Sequence, residues 1–209
     1  MKKNKMKKLF AVAMTVAMVF AMTACGGSNE LPEGTYQPPA LEEGVDYSAE
    51  IDIQDYGKIM IHLEKDVAPI TVANFVALAE SGFYDGLTFH RIMKDFMMQG
   101  GDPEGTGMGG SENNIVGEFD ANGYENTLSH TRGVISMARA NDPNSASSQF
   151  FICHADSTFL DGQYAAFGHV TEGLDVVDAV CEKAQPTDNN GTIPAENQPV
   201  ITKVTIIKN

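Results

Sequence analysis

Apolar and polar side chains alternate from Tyr47 to Gln54 and again from Lys58 to Leu63, with Asp55-Tyr56-Gly57 between the two runs. A period of two places successive residues on opposite faces of an extended chain, so the runs predict a hairpin of half-buried strands. From Ile70 to Glu80 the period lengthens. Ile70, Ala73, Asn74, Ala77 and Leu78 fall on one helical face, Pro69 suits the first turn and Gly82 the exit. Further strands are predicted at Leu87–Met93, Phe96–Gln99, Val134–Ala138, Ser148–Cys153 and Ala165–Val170. A second helix is predicted over Gly173–Ala184, then a turn-rich insertion from Gln185 to Gln198 and a last strand over Val200–Lys208. Many short strands with two helices imply a mainly-β architecture: a closed eight-stranded antiparallel β-barrel capped by two α-helices. No internal repeat is visible.

The pattern stops before residue 46, where two other segments are legible. Residues 1–24 have a lysine-rich head, an apolar stretch from Leu9 to Ala21 and small residues leading to Cys25, which is the form of a secretory signal. The apolar stretch is short for a membrane span of about 20 residues. Met22-Thr23-Ala24-Cys25 resembles the lipobox of bacterial lipoproteins, which implies a lipid on the Cys25 thiol and cleavage before it. An uncleaved amphipathic or transmembrane anchor and a soluble secreted product are the other readings, and all three place the domain outside the cytoplasm. Residues 25–45, rich in Gly, Pro and Glu, are expected to form a flexible spacer between the lipidated cysteine and a globular domain over 46–209. Two or more acyl chains give stable attachment to a bacterial membrane.

Charge narrows the partners. The chain carries 28 acidic against 14 basic side chains, a net charge of −14, and five of the lysines lie in the first eight positions. So acidic a domain repels nucleic acid and anionic lipid headgroups. Apart from Cys25 only Cys153 and Cys181 remain, without metal-ligand spacing; both read as buried thiols, although an oxidising compartment permits a disulfide. His62, His90, His130, His154 and His169 show no metal-binding spacing, so neither a metal nor another cofactor is expected. The glycine-rich run Gly105–Gly110 is not followed by a helix, which removes the nucleotide reading and leaves a flexible loop rimming a groove. Ser148, His90 and Asp161 could be written as a hydrolase triad, but no G-x-S-x-G elbow surrounds Ser148.

Two strands carry polar residues inside apolar runs. Met97 and Gln99 share one face in the first, and in the second Gln149 and Phe151 share one face while Phe150 and Ile152 share the other. One face of each strand is expected to fill the barrel. The other mixes Met, Phe and Gln, which suits an apolar ring held beside a hydrogen-bonding backbone. Phe89-His90-Arg91-Ile92, Phe96-Met97 and Gln99-Gly100-Gly101-Asp102 come first. They are followed by Gly133 to Ala138, Ser148-Gln149-Phe150-Phe151-Ile152, Leu160-Asp161-Gly162 and Phe167-Gly168-His169-Val170. In this order and spacing the sequence resembles the cyclophilin family of peptidyl-prolyl cis-trans isomerases, from residue 47 to the last.

The resemblance implies a catalytic Arg91, a proline pocket lined by Phe96, Met97, Phe151 and Leu160, a peptide-binding Gln99 and a supporting Gln149. Backbone near Arg139 and Ala140 would pair with the residue preceding proline, and Gly105 would belong to the rim. Phe159 stands where many members carry Trp and Tyr164 where many carry His, so weak cyclosporin binding is expected. The implied substrates are proline-containing unfolded or exported polypeptides, acted on by a monomer. A membrane-tethered chaperone or scaffold that holds such segments with little catalysis would share every binding residue and differ only in turnover.

Overall fold

The computed structural model describes residues 35–209; the signal segment and Cys25 lie outside the described residues. Eight strands form a single antiparallel sheet: β1 Tyr47–Ile53, β2 Gly57–Leu63, β3 Thr88–Met93, β4 Met97–Asp102, β5 Val134–Met137, β6 Phe150–Cys153, β7 Ala166–Glu172 and β8 Ile201–Lys208. The order across the sheet is β3-β4-β6-β5-β7-β2-β1-β8. Two helices, α1 Pro69–Glu80 and α2 Leu174–Lys183, cover it.

The sheet is an open, curled half-barrel, which corrects the expectation of a closed barrel. Its edge strands β3 and β8 share no ladder: an isolated bridge joins Thr88 to Val200, just before β8, flanked by Phe89 N–H donating to the Pro199 carbonyl at 2.9 Å and Ile201 N–H to the Leu87 carbonyl at 2.7 Å. The reason lies in what occupies the outer edge of β3. Farther along, Gly191 and Ile193 of the insertion take the edge hydrogen bonds, Ile92 N–H donating to the Gly191 carbonyl and Ile193 N–H to the His90 carbonyl. The eight strands and two helices match the sequence pattern.

The interior is aromatic. Phe75 of α1 meets Tyr84, Phe150 and Phe167 at ring distances of 5.1, 5.6 and 5.3 Å, and all four side chains are buried. Helix α1 begins at Pro69 without a side-chain cap from Ala68. Glu118 supplies the missing acceptor from 48 residues away: its carboxylate receives Ile70 N–H at 3.0 Å, and Thr71 N–H and Oγ1–H at 2.7 Å each. Helix α2 starts after Gly173, whose φ of +87° and contact with the Lys58 carbonyl leave no room for a Cβ.

Two segments depart from the sequence reading. Strand β4 runs to Asp102, past the Gln99 expected, through Gly100 and Gly101. A Cβ on Gly100 would lie 2.8 Å from the Thr88 carbonyl and one on Gly101 2.6 Å from the Ser148 carbonyl, so these glycines permit close approach of neighbouring chain. The last part of the expected spacer, residues 36–45, lies on the domain. Tyr36, Leu41 and Val45 pack on the core, Glu42 N–H donates to the Tyr47 hydroxyl at 2.8 Å, and Lys208 pairs with Glu42 at 2.8 Å and Glu80 at 3.0 Å. Three apolar residues without periodicity give no element signal, yet they suffice to dock a segment on an apolar helix face.

Candidate active site

The site is a row of side chains across four strands. Register pairs Arg91 of β3 with Gln99 of β4, Gln99 with Phe151 of β6, and Phe151 with Ser136 of β5. One residue along, Ile92, Met98, Ile152 and Ile135 form the equivalent row on the interior face. The parity expected for β4 and β6 is therefore present. In β3 a further device operates. The register shifts between Phe89 and Arg91, so Phe89 and His90 are both buried and Arg91 changes face relative to Phe89. Strict alternation would have put those two on one side. The bulge at His90 turns Arg91 outward.

Arg91 sits half-buried on the wall of a cavity of about 130 Å³, with Phe96, Met97, Gln99, Phe151, Leu160 and Tyr164 as expected, and with Ala138 and Arg139. That volume suits one side chain or ring. Its Nε–H donates to the Asn190 carbonyl at 2.7 Å and Nη1 to Gln99 Oε1 at 3.1 Å, while Nη2 lies 3.4 Å from the Met93 sulfur. The guanidinium is 5.9 Å from the Phe96 ring centroid. Burial lowers its pKa from the ordinary value, opposed by Tyr164 and Asp188. Gln99 Nε2 passes the chain on to Gln149 Oε1 at 2.9 Å, and Gln149 Nε2 donates to the carbonyls of Gly107 at 3.1 Å and Gly109 at 2.7 Å. The amide of Gln99 is thereby oriented: its oxygen faces Arg91 and its nitrogen faces Gln149.

The cavity floor has its own support. The Phe151 ring stacks on His130 at 6.0 Å and 17° and meets Tyr164 edge-on at 6.0 Å. His130 donates Nδ1–H to Asp161 at 2.8 Å, which leaves Nε2 to accept from the Ser136 hydroxyl at 3.0 Å. Burial lowers the His130 pKa against the pull of Asp161. On the other wall the Arg139 guanidinium stands 4.7 Å from the Tyr164 ring and 5.1 Å from Phe119, and donates to the Gln163 carbonyl at 3.0 and 2.9 Å. Neither support was found from sequence, because their partners lie tens of residues apart.

A second cavity of about 360 Å³ adjoins the first and shares Gln99, Ala138 and Arg139 with it. Gly107 to Ser111 form one wall, Gln149 and the expected Ala140 belong to its lining, and Met108 stands 86% exposed at the rim. Two expected residues lie outside both linings. Gly105 packs on the Gln198 side chain, because the loop turns back there onto the segment before β8. Phe159 is 72% exposed and its ring lies 5.6 Å from that of the pocket residue Phe96, since the short 3₁₀ turn at Thr158–Leu160 directs Leu160 inward and Phe159 out. Cys153 and Cys181 are free, buried thiols, each pushed up to about 12 by burial and nearby carboxylates. Ser148 donates to the Gly101 carbonyl at 2.7 Å and Asp161 serves His130, so the residues of the conceivable hydrolase triad are dispersed. His90 is a core histidine, but both its ring nitrogens lack a hydrogen-bond partner, and burial lowers its pKa. Among the described residues no group of three or more His, Cys, Asp and Glu could hold a metal ion.

Arg91, held by Asn190 and Gln99, stands on the wall of a largely apolar pocket, and the chain's sequence matches a family model. Residues 48–208 match that of the cyclophilin type peptidyl-prolyl cis-trans isomerases. The chain belongs to the cyclophilin-type peptidyl-prolyl cis-trans isomerases. It is 51% identical over 122 residues to peptidyl-prolyl cis-trans isomerase-like 1 of Rhizopus delemar, covering 58% of this chain and 72% of that protein. With peptidyl-prolyl cis-trans isomerase B of Bacillus subtilis it shares 46% over 123 residues, 59% of this chain and 82% of the relative. The crystal structure of a Cryptosporidium parvum cyclophilin type isomerase in the presence of the dipeptide Ala-Pro superposes with a TM-score of 0.68 at 31% identity. That match covers 78% of this chain and 99% of the other. The cyclophilin therefore catalyses rotation about X-Pro bonds, and proline-containing peptides are the family's ligands.

Proposed function

We propose that this cyclophilin isomerises X-Pro bonds without covalent chemistry, Arg91 stabilising the twisted imide. An X-Pro bond relaxes over tens of seconds because rotation breaks amide resonance, with an activation energy near 20 kcal/mol. At the half-turn the prolyl nitrogen regains its lone pair and can accept a hydrogen bond. A guanidinium that donates to it there, and to neither planar isomer, lowers the barrier by about 1.4 kcal/mol for each tenfold of rate. The observation that carries this reading is the placement of Arg91. Nε and Nη1 are fixed by Asn190 and Gln99, only the weakly accepting sulfurs of Met93 and Met97 meet the other N–H groups, and the side chain lines the 130 Å³ cavity beside Phe96, Phe151 and Leu160. The ring would enter between these side chains while Gln99 binds the peptide backbone. Phe159 lacks an indole N–H donor, which supports weak binding of cyclosporin.

The substrates proposed are unfolded, exported polypeptides, met by a lipid-anchored monomer outside the cytoplasm. The lysine-rich head, apolar stretch and Cys25 support that address. Slow proline steps limit newly exported chains, so an isomerase held at the membrane meets them as they emerge.

The test is a coupled isomerisation assay on a short Ala-Pro peptide with wild type, Arg91→Lys and Arg91→Ala. Arg91→Lys is expected to lose most activity, since a compact ammonium does not replace a planar fork. Wild-type turnover by Arg91→Lys would remove Arg91 from the mechanism, and equally slow rates from all three would identify a binder.

A further inference from the structure

Arg91 is aimed by a loop to which the reaction assigns no part. Between α2 and β8 the chain passes the outer edge of β3, where Thr192 forms an antiparallel bridge with Arg91. Ile193, 2% exposed, anchors the loop in the core. Gly191 has φ +86°, and a Cβ there would sit 2.5 Å from Met93 Cγ and 2.7 Å from the Ile92 carbonyl, so the loop approaches β3 as only glycine allows. This close approach puts the Asn190 carbonyl 2.7 Å from Arg91 Nε.

What fixes Asn190 is Asp188. One carboxylate oxygen accepts Asn190 N–H at 2.9 Å and Thr192 N–H at 3.1 Å, and the other accepts the Thr192 hydroxyl at 2.9 Å. The Asp188 carbonyl receives Gly191 N–H at 3.2 Å, and the Thr192 carbonyl accepts Thr187 N–H at 2.9 Å. Every residue from Asp188 to Thr192 except Gly191 is exposed, so these bonds, and not burial, determine the loop's shape. We infer that Asp188 is a positioning residue for Arg91: the hydrogen-bonded turn it closes holds the Asn190 carbonyl against Nε–H while Gln99 holds Nη1. Two anchors on different edges of a planar group stop its rotation, and the remaining N–H donors meet only the weakly accepting sulfurs of Met93 and Met97. The inference rests on Arg91 being the group that meets the twisted imide. A preorganised donor acts where a freely rotating one must first be ordered, so the loss should fall on kcat and not on KM.

The test uses the purified full chain as wild type, Asp188→Ala, Asp188→Asn and Thr192→Val. Steady-state kinetics on an X-Pro peptide are combined with nitrogen NMR of the Arg91 Nε–H, identified by its absence in Arg91→Lys. Asp188→Ala should lower kcat about tenfold with KM within about twofold, and its Nε–H should shift and exchange faster with water. Asp188→Asn keeps an oxygen for the two backbone N–H groups and should recover most of kcat. Thr192→Val removes only the hydroxyl bond at the exposed rim and should move both readouts the same way by less. A merely structural loop would lower the melting temperature and leave kcat and the Nε–H signal of the folded protein alone. An unmoved signal or an unchanged kcat in Asp188→Ala overturns the inference; should that variant not fold, the same result in Thr192→Val does so. Wild type no faster than the uncatalysed reaction would instead overturn the reading of Arg91, and the NMR comparison would still decide whether Asp188 holds its Nε–H.

Discussion

Phe150 and Phe151 are neighbours on β6, and their surroundings differ in kind. Phe150 meets the rings of Phe75, Tyr84 and Phe89 at 5.6, 5.6 and 6.0 Å, nearly edge-on in each case, inside the large core. Phe151 belongs to a small separate cluster with Met97, Cys153 and Leu160, stacks on a hydrogen-bonded histidine and faces a cavity. The interior face is held by burial, which is non-directional and tolerates modest error. The site face is held by oriented hydrogen bonds running Arg91, Gln99, Gln149 and the glycine loop, with His130 and Asp161 beneath. One face of the sheet stabilises the fold and the other fixes geometry, so damage to each should show in a different measurement.

The sharpest way to break this comparison is the pair Phe150→Ala and Phe151→Ala. The first should cost about 3–5 kcal/mol in denaturant unfolding, while the second should cost less stability and remove most isomerase activity. Equal stability losses would mean that the two faces form one core. Glu118→Ala should cost about 2–3 kcal/mol, because the first N–H groups of α1 lose an ionic acceptor in a buried place, with activity per folded molecule retained. Removing residues 35–45 should lower stability by about 1–2 kcal/mol through the lost packing of Tyr36, Leu41 and Val45, again without touching kcat. A denaturation midpoint unchanged by that deletion would restore these residues to the status of a free spacer.

The smallest effect concerns pH. Burial lowers the pKa of His90 and of His130 from 6.5, so the folded state binds fewer protons than the unfolded state below that pH. Stability contributed by keeping them neutral is present above about pH 6.5 and is lost as pH falls toward their folded values. Denaturant midpoints measured from about pH 7.5 to 5 should decline accordingly. No histidine or cysteine lines the cavity, so the isomerase rate should stay flat between about pH 6 and 9. A bell-shaped rate profile in that range would bring the histidine under Phe151 into the chemistry.

Much of the site was legible because β4 and β6 obey strict alternation. Met97, Gln99, Gln149 and Phe151 could be assigned to one face from spacing alone, and the structure brings them together. Arg91 was found by resemblance, since counting from Phe89 without the bulge at His90 puts both on the same side. Phe159 and Gly105 show the limit from the other direction. A motif names the segment, but a 3₁₀ turn and a folded loop decide which of its side chains reaches the cavity.

The chain by itself determined the strands, the two helices, the inner face of each central strand and the family, because these follow from periodicity and from motifs confined to a few consecutive residues. Only the tertiary structure decided that the sheet stays open at β3, that residues 36–45 dock, and that Asn190 faces Arg91 across 99 residues. Such pairings depend on where a distant loop closes in space, and a hydrogen bond needs its partner within about 3 Å and in line, a condition no local pattern records.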